Sequence, residues 1–267
     1  MCYLCFVERT NNGVIPSYTR DYEVLSYHCD PYSQLRVSSL FFLMQESAWF
    51  HSHRMGIGWD HLMASRNSFW ALTRLKVEVL GSPVKWGERL TVTTWSRGTD
   101  GIQFFRDWQV FDQKGVLRAI GTGTWVIVGA DSRQVQRNSD LALQFPLQGE
   151  QVFPGVLKKI KPLVEPLFSD YSPIRYSEMD VNKHMNNVSY LVRFLDEESA
   201  AFRADYRVSG AELNFFKEVT AEASVRVGRV VDGMVRKYAI FREEDGGELC
   251  RGKVVWTPRV QEDDKRE

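Results

Sequence analysis

Residues 180–187 read DVNKHMNN. Asp180, Asn182 and His184 recur at every second position, as they would along one side of an extended segment, just ahead of an apolar run that opens at Val188. A carboxylate, an amide and an imidazole brought to one point can handle a proton. If the segment turns into a helix near His184, the first unpaired N–H groups of that helix face the same space. With the Asn182 amide they can then stabilise negative charge on a carbonyl oxygen. A plainer reading makes Asp180 or Asn182 a helix N-cap and His184 a satisfied loop histidine.

The elements that must hold this segment occur twice. Residues 97–125, RGTDGIQFFRDWQVFDQKGVLRAIGTGTW, can be laid over residues 229–256, RVVDGMVRKYAIFREEDGGELCRGKVVW. Asp100-Gly101 then meets Asp232-Gly233, Phe111 falls near Phe241 and Trp125 near Trp256. Each copy alternates apolar and polar positions, breaks at a turn (DQKG or EEDGG) and resumes, which predicts antiparallel hairpins. Upstream of the first copy, Leu40, Leu43, Met44 and Ala48 recur at helical spacing between Ser39 and His53, with Gly56 and Gly58 closing the helix. Upstream of the second, Val188, Leu191, Val192 and Leu195 do so between Val188 and Phe202. Strand, helix and several antiparallel strands predict an α+β fold, with one long helix covering a curved sheet in each half. The boundaries expected are 18–140 for the first unit, 141–170 for an ordered linker rich in Pro and Lys, and 171–260 for the second unit.

The duplication also weighs the two readings of the loop. The matching entry in the first half is DPYSQ, so the Asp survives as Asp30 while Tyr32 stands for Asn182 and Gln34 for His184. Capping is needed in both halves. An Asn and a His present only once point to chemistry kept in the second half, with the first released for binding.

The totals narrow the class. Lys plus Arg is 34 and Asp plus Glu is 34 among 267 residues, so no net field recruits nucleic acid or an acidic membrane. Cys2, Cys5, Cys29 and Cys250 are too scattered for a disulfide framework, which favours a reducing, cytoplasmic setting. The lone Cys2–Cys5 pair has no second pair to complete a zinc site. No apolar run approaches the roughly 20 residues of a membrane span. His51 and His53, two apart on a helix, fall on different faces and do not make a metal pair. Gly121-Thr-Gly123 lacks the strand-to-helix context of a dinucleotide loop and reads as strand glycines.

DVNKHMNN followed by VSYLVRFLDE resembles the signature of plant and bacterial fatty acyl-ACP thioesterases, a family of two tandem hotdog folds. WALTRLKVEV from Trp70, WGERLTVTTW from Trp86 and TGTWVIV from Thr122 are similar to that family's first hotdog, and the likeness covers residues 20–257. The resemblance implies a catalytic set of Asp180, Asn182 and His184 with Glu218, the acid of LNFFKEV. The family's usual Cys after that Glu is Val219 here, which removes a thiolate nucleophile at this position. Glu218 then serves as general base for a water, or attacks directly, and Asp180 orients His184 and sets its protonation.

No cofactor and no metal are expected. The partner implied is an acyl carrier protein bearing acyl-phosphopantetheine, received on a basic surface to which Lys158, Lys159 and Lys161 can contribute, and a homodimer is the assembly expected. The resemblance implies an acyl tunnel in the first half, beside the helix bearing Leu40, Leu43, Met44 and Ala48 and near Phe69 and Trp70; most of these residues are equally well explained as core, and none is assigned a site role. An acyl-CoA thioesterase and a non-catalytic acyl- or carrier-binding protein are the competing functions. A dehydratase fits the segment less well.

Overall fold

The computed structural model describes residues 15–138, 141 and 150–259; the Cys2–Cys5 pair lies outside them. The chain forms two compact units, Met1–Lys159 and Ile160–Glu267. The first contains β1 (Ser17–Glu23), α1 (Val37–Arg54), α2 (Trp59–Arg66), β2 (Ser68–Val79), β3 (Arg89–Thr99), β4 (Gln103–Asp112), β5 (Leu117–Gly129) and a short β6 (Val135–Gln136). Its strands pair antiparallel in the order β1-β3-β4-β5-β2, with β6 on β5. The second contains β7 (Leu167–Phe168), β8 (Ser172–Pro173), α3 (Asn187–Asp196), α4 (Ala200–Asp205), β9 (Tyr206–Phe215), β10 (Ser224–Asp232), β11 (Val235–Arg242) and β12 (Glu248–Pro258). Its order is β9-β12-β11-β10, with β7 and β8 both on β10. Each unit is the helix-on-antiparallel-sheet arrangement of a hotdog, so the α+β double hotdog holds.

The duplicated pattern is matched in detail. The strand pair β4·β5 carries a bulge between Val110 and Phe111, and β11·β12 carries one between Ile240 and Phe241, the aligned positions. In β5 a Cβ on Gly121 would meet Met44 Cε of α1 at 2.2 Å. In β12 a Cβ on Gly252 would meet the Phe194 ring of α3 at 2.5 Å. The same missing side chain therefore seats the helix in both units, and Gly121 is a packing glycine within a strand.

Four details differ from the sequence expectation. Val192 is 38% exposed, and Phe194, fully buried, takes the inward place on α3. The predicted helix from Val188 to Phe202 is broken into α3 and α4 because Ser199 Oγ accepts the Phe202 N–H at 3.1 Å and starts a new helix. Gly56, at φ +72°, does close α1, whereas Gly58 is the N-cap of α2. The expected linker is divided between the units. Glu150 O accepts from Trp95 Nε1 at 3.1 Å and Val152 N–H donates to the buried Asp107 at 3.0 Å, while Ile160 N–H donates to the buried Asn214 at 2.7 Å. Among the described residues no helix is long and apolar enough to cross a membrane.

Candidate active site

The segment from Asp180 to His184 is a tight turn, not an extended stretch. Asp180 Oδ1 accepts the N–H of Asn182 at 2.8 Å and that of His184 at 3.3 Å, the Asp180 N–H donates to His184 O at 2.9 Å, and Lys183 sits at φ 62°. Alternate N–H groups converge on one carboxylate oxygen, which is why the side chains are spaced by two. Asp180 thus orients His184 through its main chain. The first unit repeats the turn: Asp30 Oδ1 accepts from Tyr32 at 2.9 Å and Gln34 at 3.0 Å, with Ser33 at φ 57°. Neither Asp180 nor Asn182 caps α3; that cap is Asn186, whose side chain accepts the Val188 N–H at 2.8 Å.

One backbone bond fastens this turn to the chain leaving β9. Met185 N–H donates to Val219 O at 2.9 Å, and His184 Nε2 lies 3.6 Å from Glu218 Oε2, close enough for an ion pair when the imidazole is protonated. The His184 side chain is 20% exposed and that of Glu218 42%, so the pair borders solvent, and Asn182, two residues before His184 in the turn, is exposed. In the first unit the same fastening bond runs from Leu35 N–H to Val84 O at 2.8 Å. It makes Val84 the counterpart of Val219 and Pro83 that of Glu218. The first unit therefore keeps the turn and its Asp but lacks the amide, the imidazole and the second carboxylate.

Residues that the sequence reading did not single out hold the site. Arg193 of α3 donates two bonds to Glu178, from Nε at 2.6 Å and from Nη2 at 2.7 Å, and further bonds to Ser172 and Pro173. Glu178 O in turn accepts the Asn186 N–H at 2.8 Å, so this two-pronged pair pins the start of the turn to the helix that follows it. Burial alone would raise the Glu178 carboxyl, but the bonds from Arg193 and from the Arg175 N–H hold it below the ordinary carboxylate range. Tyr190 is buried against Phe215, ring centroids 5.6 Å apart. Burial first, then Cys250 and the Glu218 and Asp180 carboxylates, raise its phenol, which stays neutral. The first unit carries His28, Leu43 and Leu40 where these residues stand, a difference visible when the two halves are laid together.

Among the described residues, neither the position after Glu218 nor the cysteine nearest to it supplies a thiol nucleophile. Val219 is 2% exposed core. Cys250, distant in sequence, lies opposite Phe215 in the sheet, nearer the segment than the sequence indicated. It is fully buried, and that burial pushes its thiol well above the ordinary range, so it holds its proton. Among the described residues, the one group of three or more possible metal ligands is in the first unit, at His53, Asp60 and His61. His51 is not part of it: buried in α1, its Nε2 bonds Ile15 O at 2.9 Å and its Nδ1 accepts from Arg106 at 2.7 Å.

Comparison with known proteins places the fold and the family. Residues 16–143 match the model of the acyl-ACP thioesterase N-terminal domain and residues 160–258 that of the C-terminal domain. The oleoyl-acyl carrier protein thioesterase 1 of Arabidopsis thaliana is 28% identical over 92% of this chain and 77% of its own length. The palmitoyl-acyl carrier protein thioesterase of Gossypium hirsutum is 24% identical over 91% of this chain, which spans 64% of that protein's length. The solved acyl-ACP thioesterase of Bacteroides thetaiotaomicron superposes with a TM-score of 0.81 at 20% identity, covering 90% of this chain and 98% of that one. The 12:0-ACP thioesterase of Umbellularia californica superposes at 0.80, also at 20% identity, covering 91% and 98%. With both halves matched in order, the chain belongs to the acyl-ACP thioesterase family.

Proposed function

We propose that this chain hydrolyses the thioester of fatty acyl-ACP to free fatty acid and acyl carrier protein, ending chain extension. The observation that carries the reading is the 3.6 Å approach of His184 Nε2 to Glu218 Oε2, made in the one of two duplicated loops that has the groups for it. Family membership supplies the substrate class.

In this reading Glu218 takes a proton from a water held between it and His184, and the water oxygen attacks the thioester carbon. The Asn182 side-chain amide stabilises the charge that forms on the carbonyl oxygen, since the N–H groups of Asn182 and His184 are taken by Asp180 Oδ1 and that of Met185 by Val219 O. The tetrahedral intermediate then collapses, the C–S bond breaks, and the phosphopantetheine thiolate leaves and takes up a proton. A thiolate leaves readily, so no strong acid is required. General-base assistance is worth about 10² to 10⁴ in rate and an oxyanion donor about 10² to 10³. The exposed Lys158, Lys159 and Lys161 are assigned to the acidic carrier, and the first unit to the acyl chain. A cytoplasmic setting is proposed from the sparse cysteines.

The test is release of free thiol from acyl-ACPs of graded chain length, alongside acyl-CoAs of equal length. Turnover is expected on acyl-ACP and slower on acyl-CoA. Faster turnover on acyl-CoA would make this an acyl-CoA thioesterase, and no release from either would make it a binding protein.

A further inference from the structure

At the corner between α1 and α2, three side chains converge on one point. Asp60 Oδ1 lies 3.4 Å from His53 Nδ1 and 3.1 Å from His61 Nδ1, and the three ligand atoms all lie within 4.8 Å of one another. A zinc ion held at bond lengths of about 2.0 to 2.2 Å in a tetrahedron separates its ligand atoms by roughly 3.4 Å, and an octahedron of that size by roughly 3 Å. Both edges that run from Asp60 already have that length. Only the two imidazole nitrogens need to draw together, and each stands on a side chain that is about half exposed.

The backbone around the corner is shaped to allow the approach. Gly58 separates α1 from the first turn of α2, and a Cβ there would sit 3.0 Å from Asp60 Oδ1 and 3.1 Å from His53 Cα. Trp49, one turn earlier on α1, stacks on the His53 ring at 5.1 Å and 12°, which limits the imidazole's tilt. The His53 and His61 rings meet edge to face at 5.2 Å. Two imidazoles and one carboxylate are a borderline-soft donor set, suited to first-row divalent ions and poor for magnesium or calcium.

We propose that His53, Asp60 and His61 form a binding site for a divalent transition-metal ion, zinc being the best fit, which clamps the α1–α2 corner. Three protein ligands leave at least one position for water. With the three side chains 44%, 53% and 42% exposed, the ion exchanges readily with solvent and binds with micromolar rather than structural-zinc affinity. The site belongs to the first unit and does not depend on the hydrolytic reading.

The test uses the full chain with Cys2→Ser and Cys5→Ser, so that those thiols do not compete for metal. Zinc is titrated calorimetrically, and cobalt is followed through its visible absorption. One equivalent is expected to bind, weakening in acid because protons compete with the metal for the ligand atoms. His53→Ala and His61→Ala are each expected to weaken binding at least about tenfold, the lower range seen even for outer-shell partners of metal ligands. Zinc should raise Tm in the parent chain and leave that of His61→Ala unmoved. Absence of saturable binding up to millimolar metal would overturn the site, as would binding that survives in both histidine variants. His61→Gln, which keeps a polar side chain, repeats the comparison should either alanine variant fold poorly.

Discussion

Asp30 and Asp180 each gather two backbone N–H groups onto one oxygen, yet only one of them stands beside an imidazole. A side chain that shapes a turn is required wherever the turn occurs, whereas one that handles a proton is required once. Asp30→Ala and Asp180→Ala are each expected to lose about 1 kcal/mol of stability in urea unfolding, the usual cost of removing such an acceptor. Asp180→Ala should also lower turnover; an equal loss in Asp30→Ala would contradict the division. The types and spacing of Asp180, Asn182 and His184 were legible in the sequence. Their geometry was not, because a turn that collects alternate N–H groups imitates the two-residue period of a strand. Glu218 has no local pattern of its own and was reached only through family resemblance. Glu178 and Arg193 were missed because a lone charged residue, in a short turn or on an amphipathic helix, reads as solvated surface.

At the level of elements, hydrophobic alternation and helical spacing located the duplicated strands and both long helices, since a half-buried strand and a packed helix impose their periods on the sequence. What it left out was local: the break that Ser199 introduces, and the turning outward of Val192. The α1 helix also carries a titration effect. His51 is pushed down to about 3, first by burial and then by the Arg106 guanidinium beside it, so it is neutral in the folded chain. Unfolding restores an ordinary imidazole near 6.5, and between about pH 6.5 and 3 the unfolded chain binds a proton that the folded one does not. This contribution is fully present above about 6.5 and is lost as pH falls, by at most about 1.4 kcal/mol per pH unit. Tm is expected to drop between about pH 6.5 and 5, above the main range of carboxylate titration. The His51→Gln variant, although less stable throughout, should show a flatter profile; parallel profiles would place the effect elsewhere.

Across the whole molecule, one hotdog plan is used twice with different contents. Both units keep the Asp-centred turn, the bulge on the fourth and eleventh strands, and the glycine that seats the helix. Asn182, His184 and Glu218 occur in the second unit alone, with Tyr32, Gln34 and Pro83 in their places in the first. The same fold therefore needs none of the three for its stability. That separation makes their removal a clean test of chemistry. The direct measurement is turnover of a purified acyl-ACP by Glu218→Gln and His184→Ala, with Tm recorded for each. Both variants are predicted to melt like the parent and to lose at least about 10² in kcat/KM. Turnover near the parent's in either one, with the fold intact, would contradict the assignment of the reaction to this pair.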